Sequence, residues 1–313
     1  MLHLRVIGPP DRTDAVRAVL AEEPGVAHLI VLPGAAVRPA GDVLEADVAR
    51  ECADALLGRL RDLGLDHDGA VTLEVLDTVL SDAADEAEEA APGEGSDAVV
   101  WDELIARTGE ESRLSFSFQA FLTIACLLAA IGAITDSPVL VVGAMVLGPE
   151  FGPLAAVAVG VVLRRRDLLR RGGLALLVGF PLGMAITALA TLLFDATGLL
   201  SSSTLDHLDQ VEFIYEVGPF SLIVAVLAGL AGILALTSAK AASLVGVFIS
   251  VTTVPAAAFA SVAAVEGRWR EAGLSALQLA VNLVGIVVAA ALALLVARRS
   301  RRRRDAGRAL SSG

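Results

Sequence analysis

With 313 residues, 55% of them hydrophobic and a formal net charge of -12, the chain is long enough for two domains and too apolar to be disordered. Its acidity lies mostly in the front 115 residues, and nearly all long apolar runs lie beyond Phe116, so one soluble globular domain is excluded. The arginine clusters Arg164–Arg171 and Arg298–Arg304 each abut an apolar run; they read as determinants of membrane topology and not as a nucleic-acid surface.

Residues 1–80 carry the pattern of a small ferredoxin-like α+β domain, in the order β-α-β-β-α-β. Leu2–Ile7 alternates like a strand, and Asp11 or Thr13 can cap a helix running through Leu20. Val26–Leu32 is a continuous apolar run, the pattern of a central strand. Gly41–Val48 alternates again, Glu51–Leu63 is amphipathic and stops at Gly64, and Ala70–Leu76 closes the sheet. His3, His28 and His67 have no metal-ligand spacing, and Gly8-Pro9-Pro10 is a turn and no phosphate loop. Cys52 and Cys126 fall in unlike regions, so no disulfide, metal site, cofactor or enzymatic chemistry is expected. No secretory leader is apparent at the start, which places this domain in the cytoplasm.

Residues 81–98 are acidic and rich in Pro and Gly, the composition of a solvated linker that is disordered or loosely helical. Residues 99–114 turn amphipathic, and a helix lying on the membrane surface or packed on the protein fits them.

Six spans follow within 115–297, at about 116–135, 138–163, 173–194, 218–237, 241–265 and 273–297, each near the 20 or so residues that a bilayer requires. The basic loop after span 2 and the basic tail at 298–313 should both be cytoplasmic, and the Asp195–Glu216 loop, without Lys or Arg, should lie outside. Both termini are then inside. Gly179 and Gly183, like Gly148 and Gly152, are spaced for close helix contact or a homo-oligomer.

One stretch stands out in span 2: Gly143-Ala-Met-Val-Leu-Gly148-Pro149-Glu150-Phe-Gly152-Pro153. A helix broken at Pro149 and Pro153 frees backbone groups inside the membrane, and Glu150 is costly there. Span 5 carries Gly246 and Pro255 at matching places, with offsets of 100 to 103 residues. The spans therefore read as two inverted three-helix repeats, about 116–194 and 218–297, with a site between spans 2 and 5. Candidate substrate or ion ligands are Glu150, with Gly148, Pro149, Gly152 and Pro153; Thr252, Thr253 and Pro255; and Asn282 in span 6. Thr252 and Thr253 could instead bond carbonyls freed at the Pro255 kink, and Asn282, like Gln278 one turn earlier, could simply join helices.

The motif around Gly143–Pro153, Gly246-Val-Phe-Ile-Ser-Val-Thr-Thr-Val-Pro255 and Asn282-Leu-Val-Gly-Ile286 resemble the signatures of a bacterial and archaeal membrane family, domain of unknown function 389. The resemblance runs from about Ser115 to Val296. Ala256 stands where the family usually has a second proline, and Glu150 where many members are apolar. It implies a multi-pass protein of the bacterial inner membrane, and no activity. The expected function is a transporter or channel for a small solute or ion, with the lipid bilayer as its surroundings and Glu150 as cation ligand or proton carrier. The alternative is a membrane-anchored sensor or scaffold that binds a ligand or partner through its N-terminal domain.

Overall fold

The computed structural model describes residues 1–91, 99–199, 218–237 and 253–311. The chain forms two compact units, Met1–Leu104 and Ile105–Gly313.

The first unit is built from β1 (Leu2–Gly8), α1 (Thr13–Ala21), β2 (Val26–Val37), β3 (Ala40–Val48), α2 (Arg50–Asp62), the single turn α3 (Leu65–Asp68), β4 (Ala70–Val75) and α4 (Asp82–Ala90). The strands lie in the order β2-β3-β1-β4 with every neighbour antiparallel, as a ferredoxin-like sandwich requires. Alternation explains the core: Leu2, Leu4 and Val6 of β1 point the same way and are buried with Val16 and Leu20 of α1 and Leu56 and Leu60 of α2. Each such side chain contributes about 2 kcal/mol by leaving water. Gly64, at φ 73°, lets the chain leave α2 through a left-handed turn.

One expectation needs correction. The apolar run Val26–Leu32 is an edge strand, not a central one, and Ile30 and Leu32 are 48% and 43% exposed. A bulge between Ala27 and Ile30, with His28 at φ 51°, interrupts the pleat, and among the described residues no strand pairs with the outer side of β2. The acidic stretch begins with a formed helix, α4, whose Ala84 and Ala87 are buried and which packs on β2. The rest of the expected linker, 92–98, lies outside the described residues.

The second unit is helical. The end of α5 (Trp101–Glu111) leads into α6 (Phe116–Ile134), α7 (Pro138–Leu147), α8 (Phe151–Leu163), α9 (Arg166–Ala196), α10 (Pro219–Thr237), α11 (Val254–Val265) and α12 (Trp269–Ser311). Among the described residues, α6, α9, α10 and Trp269–Ser300 are each long and apolar enough to cross a bilayer. The pair α7–α8, bent by 51°, makes a fifth crossing if it counts as one span. At 12 residues α11 is too short alone, and the first part of the expected span 5, 241–252, lies outside the described residues. Large apolar side chains such as Leu177, Leu189, Phe220, Leu234, Val284 and Val296 are more than half exposed along these helices, a surface that suits lipid. This is a multi-pass membrane protein.

The later helices follow the earlier ones at a steady spacing. Phe116 and Pro219 open helices of equal length, 19 residues, and lie 103 positions apart, as do Phe151 and Val254, and Arg166 and Trp269. The turn after α8 has Arg164 at φ 56° and an Arg165 N–H to Gly160 carbonyl bond of 2.9 Å. The turn after α11 has Gly267 at φ 74° and an Arg268 N–H to Ala263 carbonyl bond of 2.8 Å. Packing is exchanged as well: α8 lies against both α9 and α12, and α11 against both α12 and α9. Small residues make this possible; a Cβ on Gly172 would stand 2.5 Å from the Pro153 carbonyl oxygen, and one on Gly229 2.5 Å from that of Ile286. Gly179 and Gly183 likewise serve close packing of α9 on Phe118, Leu122 and Cys126 of α6 within one chain.

Candidate functional site at a broken membrane helix

The break in span 2 falls at Gly148, Pro149 and Glu150. Gly148 is extended (φ -65°, ψ 125°) and ends α7, and Glu150 is the N-cap of α8. Pro153 does not break the chain, contrary to expectation. It sits within the first turn of α8, where a missing N–H costs no helical bond. Pro255 occupies the corresponding first turn of α11.

Glu150 is completely buried. Its Oε1 accepts a 2.5 Å hydrogen bond from Thr253 Oγ1, and Thr253 is also fully buried, as the N-cap of α11. The carboxylate thus lies where two helices begin. The positive ends of two helix dipoles offset part of the several kcal/mol that burying a charge costs. Carbonyl capping at the Pro255 kink is therefore not what Thr253 Oγ1 does here. Thr252 lies outside the described residues.

Gly148, Pro149, Glu150 and Gly152 line a cavity of about 440 Å³ together with Ser115, Phe118 and Phe121 from the start of α6, and Leu236. Phe151 and the charged residues Arg107, Glu110, Glu111 and Arg113 complete the lining. The break consequently faces the first turns of α6, not the middle of that helix. The end of α5 packs on the protein here, since a Cβ on Gly152 would fall 2.6 Å from Glu111 Cβ and 2.9 Å from its carbonyl oxygen. Within this wall Arg107 Nε donates to Glu111 Oε1 at 3.1 Å, one turn along the same helix.

Asn282 is completely buried on α12, and Ser275 and Gln278, spaced to share its face, are buried too. The Ser275 hydroxyl oxygen and the Gln278 carbonyl oxygen have no hydrogen-bond partner among the described residues, which is costly in an apolar unit. At the far end of α8, Arg298 Nη1 donates to the Val162 carbonyl oxygen at 2.8 Å, so the first arginine of the second cluster reaches the helix end that leads into the first cluster.

Sequence reasoning missed two arrangements. The Glu150–Thr253 bond was signalled by the 103-residue offset between Gly143 and Gly246, which sets Thr253 opposite Glu150. In the first unit, His3 and His28, which look scattered along the chain, both bond to Asp47, with His3 Nδ1 2.9 Å from Oδ1 and His28 Nδ1 2.6 Å from Oδ2. The register gives a reason: His3 is the direct cross-strand partner of Asp47, and the bulge turns His28 toward it. Burial alone would raise the Asp47 carboxyl, but the hydrogen bonds from His28 and His3 and the attraction of both rings hold it below the usual value. Among the described residues no group of three or more His, Cys, Asp or Glu could hold a metal ion.

Residues 145–288 match the model of a protein family whose description is "Domain of unknown function (DUF389)". The match takes in the α7–α8 break, Thr253 and Asn282, and it shows, for this part of the chain, the resemblance drawn from the motifs. No curated protein and no solved structure matches the chain.

Proposed function

We propose that this protein of the DUF389 kind is a transporter or channel for a small solute or ion, with its site where α8 and α11 begin. The observation that carries the reading is the buried Glu150–Thr253 hydrogen bond, which joins two helix starts 103 positions apart in the sequence. A carboxylate in an apolar unit is retained at a cost of several kcal/mol, and such groups are characteristic of ion and proton pathways.

The reading extends to architecture. The steady spacing of helix starts, the matched turns after α8 and α11, and the exchanged packing all support two three-span repeats. An odd number of crossings per repeat inserts the second in the opposite sense, and transporters of that design bind substrate between corresponding broken helices. Pro149 and Gly152 shape the first break, Pro153 and Pro255 start the two inner helices, and Asn282 is a further ligand candidate. The meeting of Arg298 with the end of α8 supports a common cytoplasmic side for both arginine clusters, in a bacterial inner membrane, with both termini inside.

The test is a panel of ion and small-solute gradients imposed on proteoliposomes. Dissipation of at least one gradient beyond that of empty vesicles is expected. Correctly folded protein that is inert to every gradient would replace transport with the sensor or scaffold reading.

A further inference from the structure

We propose that Ser81, His28 and Asp47 of the first unit form an acyl-transfer site, at which Ser81 attacks the carbonyl carbon of a small uncharged carboxylic ester. The activity is independent of transport through the second unit. Ser81 and His28 are 53 positions apart and His28 and Asp47 19 apart, and the fold joins them in one line. Ser81 Oγ lies 2.7 Å from His28 Nε2, and His28 Nδ1 lies 2.6 Å from Asp47 Oδ2. His3 Nδ1 meets the other carboxylate oxygen at 2.9 Å. The Asp47 carboxyl, held below its usual value, is ionised at neutral pH and only accepts hydrogen bonds. In their neutral form both histidines therefore carry the proton on Nδ1, which leaves the lone pair of His28 Nε2 to accept from the Ser81 hydroxyl. Nucleophile, base and orienting acid stand in the relation that activates a serine.

The local structure goes further than a tie between α4 and the sheet. Ser81 is the N-cap of α4, yet its hydroxyl caps no helical N–H and is turned to His28 instead, at a cost in helix stability. His28 stands at φ 51°, a left-handed conformation that is strained for a non-glycine residue and is concentrated at functional sites. The first two N–H groups of α4, on Asp82 and Ala83, have no acceptor within the helix. They follow Ser81 directly, as the N–H that stabilises an oxyanion follows many serine nucleophiles. The His28 side chain is 36% exposed and Asp47 14%, so the base is open to a reactant while the group that orients it is sheltered. Leu80, 94% exposed, offers apolar surface to the acyl group, and Asp82, Asp85 and Glu86 repel an anionic substrate. In the reaction Ser81 Oγ bonds to the carbonyl carbon and its proton passes to His28 Nε2. The ester C–O bond breaks, and His28 returns the proton to the departing alcohol. Water then gives a proton to His28 and its hydroxyl to the acyl carbon, the bond to Ser81 breaks, and His28 restores the Ser81 hydroxyl as the carboxylic acid leaves.

The test uses the full chain in detergent, with covalent labels mapped to residues by mass spectrometry. An alkyl fluorophosphonate should label Ser81 of the native protein, and His28→Gln should slow that labelling about a hundredfold or more. A hydroxyl with a merely structural role is inert to this reagent, so an unlabelled Ser81 in the folded native chain would overturn the proposal. Labelling of Ser81 that His28→Gln leaves undiminished would overturn it too. Ser81→Cys supplies a second readout that needs no ester to bind. Its thiol should react with iodoacetamide at neutral pH about tenfold faster than that of Leu80→Cys, its exposed neighbour, because His28 takes the proton from one and not the other. His28→Gln in the Ser81→Cys chain should remove the difference, and Asp47→Asn should reduce it by releasing the imidazole from its orientation. Equal rates in Ser81→Cys and Leu80→Cys would show that His28 is no base for position 81 and would overturn the proposal.

Discussion

The Thr253 hydroxyl donates a hydrogen bond to Glu150 Oε1, and neither residue has any surface exposed. Each is the N-cap of a short, buried helix, α8 or α11, and each is followed within three positions by a proline in the first turn. The two inner helices thus start at the same place in the unit, and the buried Glu150 carboxylate is held there.

Removing the donor should be felt in stability as well as in flux. Thr253→Val keeps the shape but takes away a hydrogen bond to a buried carboxylate, and should cost about 1–3 kcal/mol. Thr253→Ser restores the hydroxyl and should recover most of it. Unfolding of the purified protein in detergent measures both, and equal stability of Thr253→Val and the native protein would remove the bond from any structural role.

Close helix contact makes a second prediction. Gly172→Ala and Gly229→Ala each place a Cβ 2.5 Å from a backbone carbonyl oxygen, and Gly152→Ala places one 2.6 Å from Glu111 Cβ. Backbone cannot yield cheaply, so each should cost about 1–3 kcal/mol. A Cβ on Gly143 meets nothing within 4 Å, and Gly143→Ala should instead gain about 0.5–1 kcal/mol through helix propensity. Thermal unfolding of the four variants orders them.

The first unit should be acid-sensitive. Hydrogen bonds from Thr13 and the Gly34 amide hold the Asp42 carboxyl below its usual value, against a smaller opposing effect of burial. Asp47 is lowered too: burial pushes it up, but the hydrogen bonds from His28 and His3 outweigh that effect. A depressed carboxyl gives stability that is present above its unfolded pKa of about 3.9 and is lost as pH falls through the lower folded value. Hydrogen exchange of the sheet amides in the full chain should accelerate below about pH 4. Asp42→Asn and Asp47→Asn should weaken protection at neutral pH and flatten its dependence on acid.

Cys52 should be inert. Burial, reinforced by the Glu23 carboxylate, pushes its thiol up to about 12. Maleimide at neutral pH should leave it unmodified in the folded chain and react once denaturant opens the first unit. Labelling before unfolding would contradict its packing.

Much of this architecture was legible. Alternation along Leu2–Gly8 and Ala40–Val48 states which side chains enter the first core, and long apolar runs locate α6, α9, α10 and α12. Periodicity fails where the environment is the same on all sides. β2 reads as a central strand because its residues are continuously apolar, yet it carries a bulge at His28 and stands at the end of the order β2-β3-β1-β4. Pro153 reads as a breaker, but a proline in a first turn is harmless, and the break is decided by Gly148 and Pro149. Thr253 meets Glu150 through tertiary packing, which no local pattern reports, although the 103-residue offset did. The approach of His28 to Asp47 requires a left-handed residue that is uncommon outside glycine.

The most direct measurement is flux through proteoliposomes carrying either the native protein or Glu150→Gln at equal density, under whichever gradient the native protein dissipates. Glu150→Gln keeps the size of the side chain and its capacity to accept from Thr253, and removes only the charge. Loss of flux with the fold intact is the expected result. Undiminished flux in Glu150→Gln would contradict a site at the break and direct attention to Asn282 and its buried neighbours Ser275 and Gln278.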